Sequence, residues 1–161
     1  MATIDLPNNI LEALSTVLQQ LQQSLPEVKQ APDFSAIAFK WENGELKAIH
    51  QLKRIELNDL KGIERQKEKV LQNTEQFLNG LPANDVLLTG SRGTGKSSIV
   101  RALLTEYAEQ GLRLIEIERD DLSELPEIQK LIAERPEKFI VYCDDLAFNA
   151  EDENYRSLKS V

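Results

Sequence analysis

Asp85-Val-Leu-Leu-Thr-Gly90-Ser-Arg-Gly-Thr-Gly95-Lys-Ser-Ser98 is the stretch on which the reading of this chain turns. Within it Gly90, Ser91, Arg92, Gly93, Thr94, Gly95, Lys96 and Ser97 fill the phosphate-loop pattern G-x-x-x-x-G-K-[ST]. Its glycines allow the backbone to curl so that successive N–H groups, through Ser98, point inward at phosphate oxygens. Lys96 is expected to reach the terminal phosphates and the Ser97 hydroxyl to ligate Mg²⁺. A helix opening near Gly95 adds the positive end of its dipole.

The flanks supply the context this loop needs. Val86, Leu87 and Leu88 before it read as a short buried parallel strand. Ile99, Val100, Leu103, Leu104 and Tyr107 after it recur at helical spacing up to Gly111, a natural stop. Strand, loop and helix follow in order, so the stretch predicts a nucleotide site.

Working outward, residues 112–117 read as a strand, with Asp120 or Asp121 capping a helix that Pro136 ends and Pro126 opening its first turn. Residues 139–143 then read as a third buried strand, which closes in Asp144-Asp145. A strand ending in an acidic pair, downstream of a phosphate loop, supplies the other half of the site. Asp144 is expected in the magnesium shell at the carboxyl end of the sheet. Asp145 is expected to polarise the water that attacks the γ-phosphate. Cys143 reads as a buried strand residue.

Toward the N-terminus, residues 63–78 carry an amphipathic helix placing Val70, Leu71, Thr74, Phe77 and Leu78 on one face. Ile63, opening it just after Gly62, is the residue expected to cover an adenine ring. Residues 37–49 read as a hairpin about Asn43-Gly44, with Trp41 opposite Leu46 and Phe39 opposite Ala48. Residues 8–25 form an amphipathic helix with Pro26 beyond it, suited to packing on its own domain or to a partner. The division expected is an appendage over 1–52, helix plus hairpin, and a nucleotide-binding core over 53–161.

Composition excludes several classes. A net charge of −8 over 161 residues argues against a broad grip on nucleic acid. One cysteine leaves no internal disulfide, and the single histidine, His50, lacks neighbours for a metal site. No secretion signal opens the chain, and no apolar run approaches the roughly 18 residues of a membrane span, so a soluble cytoplasmic protein is expected. No Asn-Lys-x-Asp marks a guanine site, and no acceptor motif suggests a small-metabolite kinase.

Four blocks in order resemble the AAA+ ATPases, and more closely an uncharacterised prokaryotic AAA+-type family. They are Asp59-Leu60-Lys61-Gly62-Ile63-Glu64-Arg65-Gln66-Lys67, the 80–98 stretch, Gly111-Leu112-Arg113-Leu114-Ile115-Glu116, and Phe139-Ile140-Val141-Tyr142-Cys143-Asp144-Asp145-Leu146. The resemblance spans residues 35–161. It implies an α/β, three-layer phosphate-loop fold with a parallel sheet, to which the helix and hairpin are appended. It implies ATP and Mg²⁺ as ligands, hydrolysis coupled to moving a partner, and self-association into rings. Asp145 departs from the family's usual Glu by one methylene.

The AAA+ strand order, 5-1-4-3-2, also implies a fourth strand between the phosphate-loop strand and the Asp144 strand. The fourth strand, the sensors, the arginine finger and the helical lid are then expected beyond residue 161. The chain is thus expected to be a fragment, or to borrow a strand, and to turn over slowly. A nucleotide-dependent interaction module without turnover is the alternative.

Overall fold

The computed structural model describes residues 7–24 and 31–146 and divides into two compact units, Met1–Ala31 and Pro32–Val161. In the first unit, α1 (Asn8–Ser24) realises the predicted amphipathic helix. Ile10, Leu14, Val17 and Leu18 on it are exposed. The predicted contribution of Leu25 and the stop at Pro26 lie outside the described residues.

In the second unit, β1 (Ala38–Glu42) and β2 (Glu45–Ala48) make the predicted hairpin, in the predicted register: Trp41 faces Leu46 and Phe39 faces Ala48. Asn43 and Gly44 have φ of 55° and 71°, which is what a type I′ turn demands. β3 (Leu112–Ile117) then pairs parallel with β1, and β4 (Lys138–Cys143) parallel with β3, giving the order β2-β1-β3-β4. The sheet is therefore mixed, because β2 folds back at its edge. The hairpin, assigned from sequence to an appendage over 1–52, forms the outer half of this sheet.

Alternation along the strands divides the core between two faces. Phe39, Trp41, Ile115 and Ile117 pack against Leu122, Leu125 and Ile128. The last two belong to α4 (Leu125–Ile132). Ala38, Leu112 and Leu114 pack on the other face against α2 (Glu64–Leu78) and α3 (Lys96–Tyr107), through Val70, Ile99, Val100, Leu103, Leu104 and Tyr107. Helices cover both faces, so the three-layer α/β fold stands. Among the described residues no helix is long and apolar enough to cross a membrane.

Three expectations are corrected. The strand over 139–143 is not buried: each β4 residue, Cys143 included, is half-buried or exposed, because among the described residues β4 has a strand neighbour on one side only. Residues 86–88 are not a buried strand: they have no ladder partner among the described residues, and Val86 and Leu87 are 49% and 73% exposed. An apolar triplet becomes a strand only when a neighbour takes its N–H and C=O groups, and β4, the last strand in the order, is paired on one side only among the described residues. Nor does Asp120 or Asp121 cap α4. They lie inside a 3₁₀ segment, Arg119–Glu124, whose preceding residue Glu118 makes no side-chain capping bond. α4 starts only afterwards and stops at Ile132, with Pro126 in its first turn as required. The segment is held instead by the Trp41 indole, 1% exposed, whose Nε1 donates to Glu124 Oε2 at 2.6 Å.

Candidate nucleotide site

The loop leading into α3 is curled by its glycines. Gly90, Gly93 and Gly95 have φ of 147°, 80° and 89°. A Cβ on Gly90 would lie 3.1 Å from Thr94 Oγ1, so the loop closes tightest there. Thr94 Oγ1 donates to the Ser91 carbonyl at 2.8 Å. Lys96 folds back over the loop, its Nζ donating to the carbonyls of Gly90 at 2.9 Å and Ser91 at 3.0 Å. Gly95 precedes the helix, whose first bond runs from the Ile99 N–H to the Gly95 carbonyl at 2.9 Å. Arg92 at the loop tip is exposed and Ser98 half-buried in the first turn.

A bond from Ser97 Oγ to Asp144 Oδ2 at 2.9 Å joins the α3 N-terminus to the carboxyl end of β4. Asp144 Oδ1 accepts the N–H of Asp145 at 3.0 Å. Partial burial pushes the Asp144 pKa up, but the bonds from Ser97 and the Asp145 amide, the nearby Tyr142 hydroxyl and the Lys96 charge outweigh it, so the carboxyl sits below its usual range. It is ionised at neutral pH. Asp145 has a φ of 52°, an unusual backbone for a residue other than glycine. Its exposed position and its amide bond to Asp144 are what the structure gives for it.

Beside the loop lies a cleft of about 320 Å³, lined among others by Ile63, Gln66, Leu88, Gly95, Lys96 and Ile99. Ile63 Cδ1 would stand 3.6 Å from a Cβ on Gly95, so the residue nominated for adenine and the loop border one cleft. Gln66 was not singled out from sequence; its position one helical turn after Ile63 is the signal that could have found it. Tyr142 was also missed as a site residue: it precedes Asp144 by two, the spacing that returns a side chain to the same face for as long as the backbone stays extended.

The donor set suits a hard cation. Ser97 Oγ and an ionised Asp144 are oxygen ligands of the kind Mg²⁺ takes together with phosphate oxygens and water. Among the described residues no cluster of three or more His, Cys, Asp or Glu exists that could hold a metal by itself. The cation would have to arrive with its phosphates.

Residues 34–161 match the family described as "Protein of unknown function (DUF815)". The chain belongs to this family. The AAA+-type relationship read from the four sequence blocks is thereby the family found. A stretch of 52 residues, 32% of the chain, is also 36% identical to a protein named "Replication factor C large subunit" from Methanococcus maripaludis (strain C7 / ATCC BAA-1331). That stretch spans 11% of the relative's length. The AAA+ kinship it supports is that of nucleotide-binding proteins.

Proposed function

We propose that this member of the family binds Mg-ATP at the 90–98 loop and hydrolyses it, coupling the cycle to movement of a partner or of further copies of itself. The observation that carries the reading is the Ser97–Asp144 bond, which joins the helix end beneath the loop to the acidic strand tip. Two separate sequence signals thus meet at 2.9 Å. In this reading the amides of Gly93 to Ser98 hold phosphate oxygens. Lys96 exchanges the carbonyls of Gly90 and Ser91 for phosphate, a stronger, charge-assisted partner. Ser97 and Asp144 hold the magnesium, which when bound neutralises charge on the phosphates. Ile63 and Gln66 receive the base in the adjoining cleft.

Calorimetric titration with Mg-ATP of the wild-type chain and of Lys96→Ala tests it. The variant is expected to lose at least tenfold in affinity, since one charge-assisted contact contributes about 1.5–3 kcal/mol. Equal affinities would remove the site.

Asp145 is proposed as the group that orients the attacking water. The alternative, binding without turnover, draws support from the carboxylate one methylene short of Glu, on a strained backbone. Steady-state phosphate release by the wild type and Asp145→Asn separates the two: a drop of about 10²-fold or more supports hydrolysis, equal rates the interaction module.

A further inference from the structure

Tyr142 packs against the α3-facing core, two residues before Asp144, which follows the end of β4. In the ladder it stands beside Glu116 of β3. Glu116 is ion-paired at 3.5 Å with Arg101, one turn beyond Ser97 on α3. Tyr142 thus neighbours two polar pairs, Arg101–Glu116 through the ladder and Ser97–Asp144 at the strand end. Its hydroxyl oxygen is closed to solvent and lies beside both Ser97 and Asp144, yet completes a well-formed hydrogen bond to neither. Buried hydroxyls ordinarily have a partner, and none of the roles assigned above uses this one.

The Asp144 carboxylate has room for it. Two oxygens offer about four acceptor sites, of which Ser97 and the Asp145 amide take one each. A donor on a ring packed in the core is fixed in advance, whereas water at that place would have to be ordered on binding.

We propose that the Tyr142 hydroxyl is a positioning group for the cation site, donating to Asp144 and holding its carboxylate turned toward Ser97 Oγ when a magnesium nucleotide binds. The inference rests on the Mg-ATP reading above. Its rival is a core tyrosine whose ring alone matters, a role phenylalanine fills equally well.

The test compares wild type and Tyr142→Phe in calorimetric titrations with a non-hydrolysable ATP analogue, in excess Mg²⁺ and in EDTA. The phenylalanine keeps the ring, and equal melting curves show that the fold is kept. Positioning predicts about a tenfold loss of affinity with Mg²⁺, the effect of one hydrogen bond to a charged group, and unchanged affinity in EDTA. Unchanged affinity in both conditions, or an equal loss in both, overturns the inference while the nucleotide site stands. Failure of the wild type to bind the analogue in either condition overturns the nucleotide reading and this inference together.

Discussion

Gly95 shows how much of this site depends on single residues. At φ 89° it holds a left-handed conformation that costs an ordinary residue about 1–2 kcal/mol. The space beside it is adequate, since a Cβ would meet Ile63 Cδ1 at an ordinary 3.6 Å. Gly95→Ala is therefore expected to lower stability by about 1–2 kcal/mol in urea unfolding through backbone strain, not through a clash. Tyr107 makes a second prediction. Its hydroxyl donates to Glu75 Oε1 at 2.8 Å, tying α3 to α2, and burial first, then Glu75, pushes the phenol up to about 12. A phenol raised above its unfolded value of about 10 stabilises the fold fully below pH 10, and this is lost as pH rises through 12. Tyr107→Phe should cost about 1 kcal/mol at neutral pH. Between pH 10 and 12 its urea midpoint should then fall less than that of the wild type. The loop glycines were legible in sequence because a G-x-x-x-x-G-K-[ST] spacing has few other uses. The Tyr142 hydroxyl was not, because its neighbours come from two other elements.

Among the elements, the hairpin was read to the residue because its determinants are local. Asn43-Gly44 sets the turn, and period-two alternation sets which residues face across it. The 3₁₀ segment Arg119–Glu124 was misread as a capped helix because its restraint is remote: the Trp41 indole anchors it across 83 positions of sequence. Trp41→Phe leaves Glu124 without that donor and the core with a smaller ring. A loss of about 2–4 kcal/mol is expected from the two effects together. Glu124→Gln, which keeps an acceptor, should cost about 1 kcal/mol or less. Urea denaturation followed by circular dichroism measures both, and equal losses would mean that the carboxylate charge, not the bond, matters.

For the folded unit as a whole, the sheet order decides what is covered and what is wet. Among the described residues β4 is paired with β3 only, Val141 on it is exposed, and Val86 and Leu87 are exposed as well. Unpaired strand edges and apolar surface promote association. Leu87→Lys is expected to leave the urea midpoint within about 0.5 kcal/mol of wild type, as for exposed positions generally. It should also lower self-association in light scattering at high concentration. An unchanged scattering profile would show that this stretch is not the sticky one.

By itself the sequence determined the features that neighbours along the chain impose: the curl of the loop, the start of α3, the hairpin register, and the acidic close of β4. Tertiary structure alone decided the parallel pairing of β1 with β3, the exposure of residues 86–88, and the meeting of Ser97 with Asp144. The reason is physical. Dihedral preference and side-chain periodicity act over a few residues, whereas a ladder partner or a buried donor comes from a distant part of the chain, and only folding supplies it.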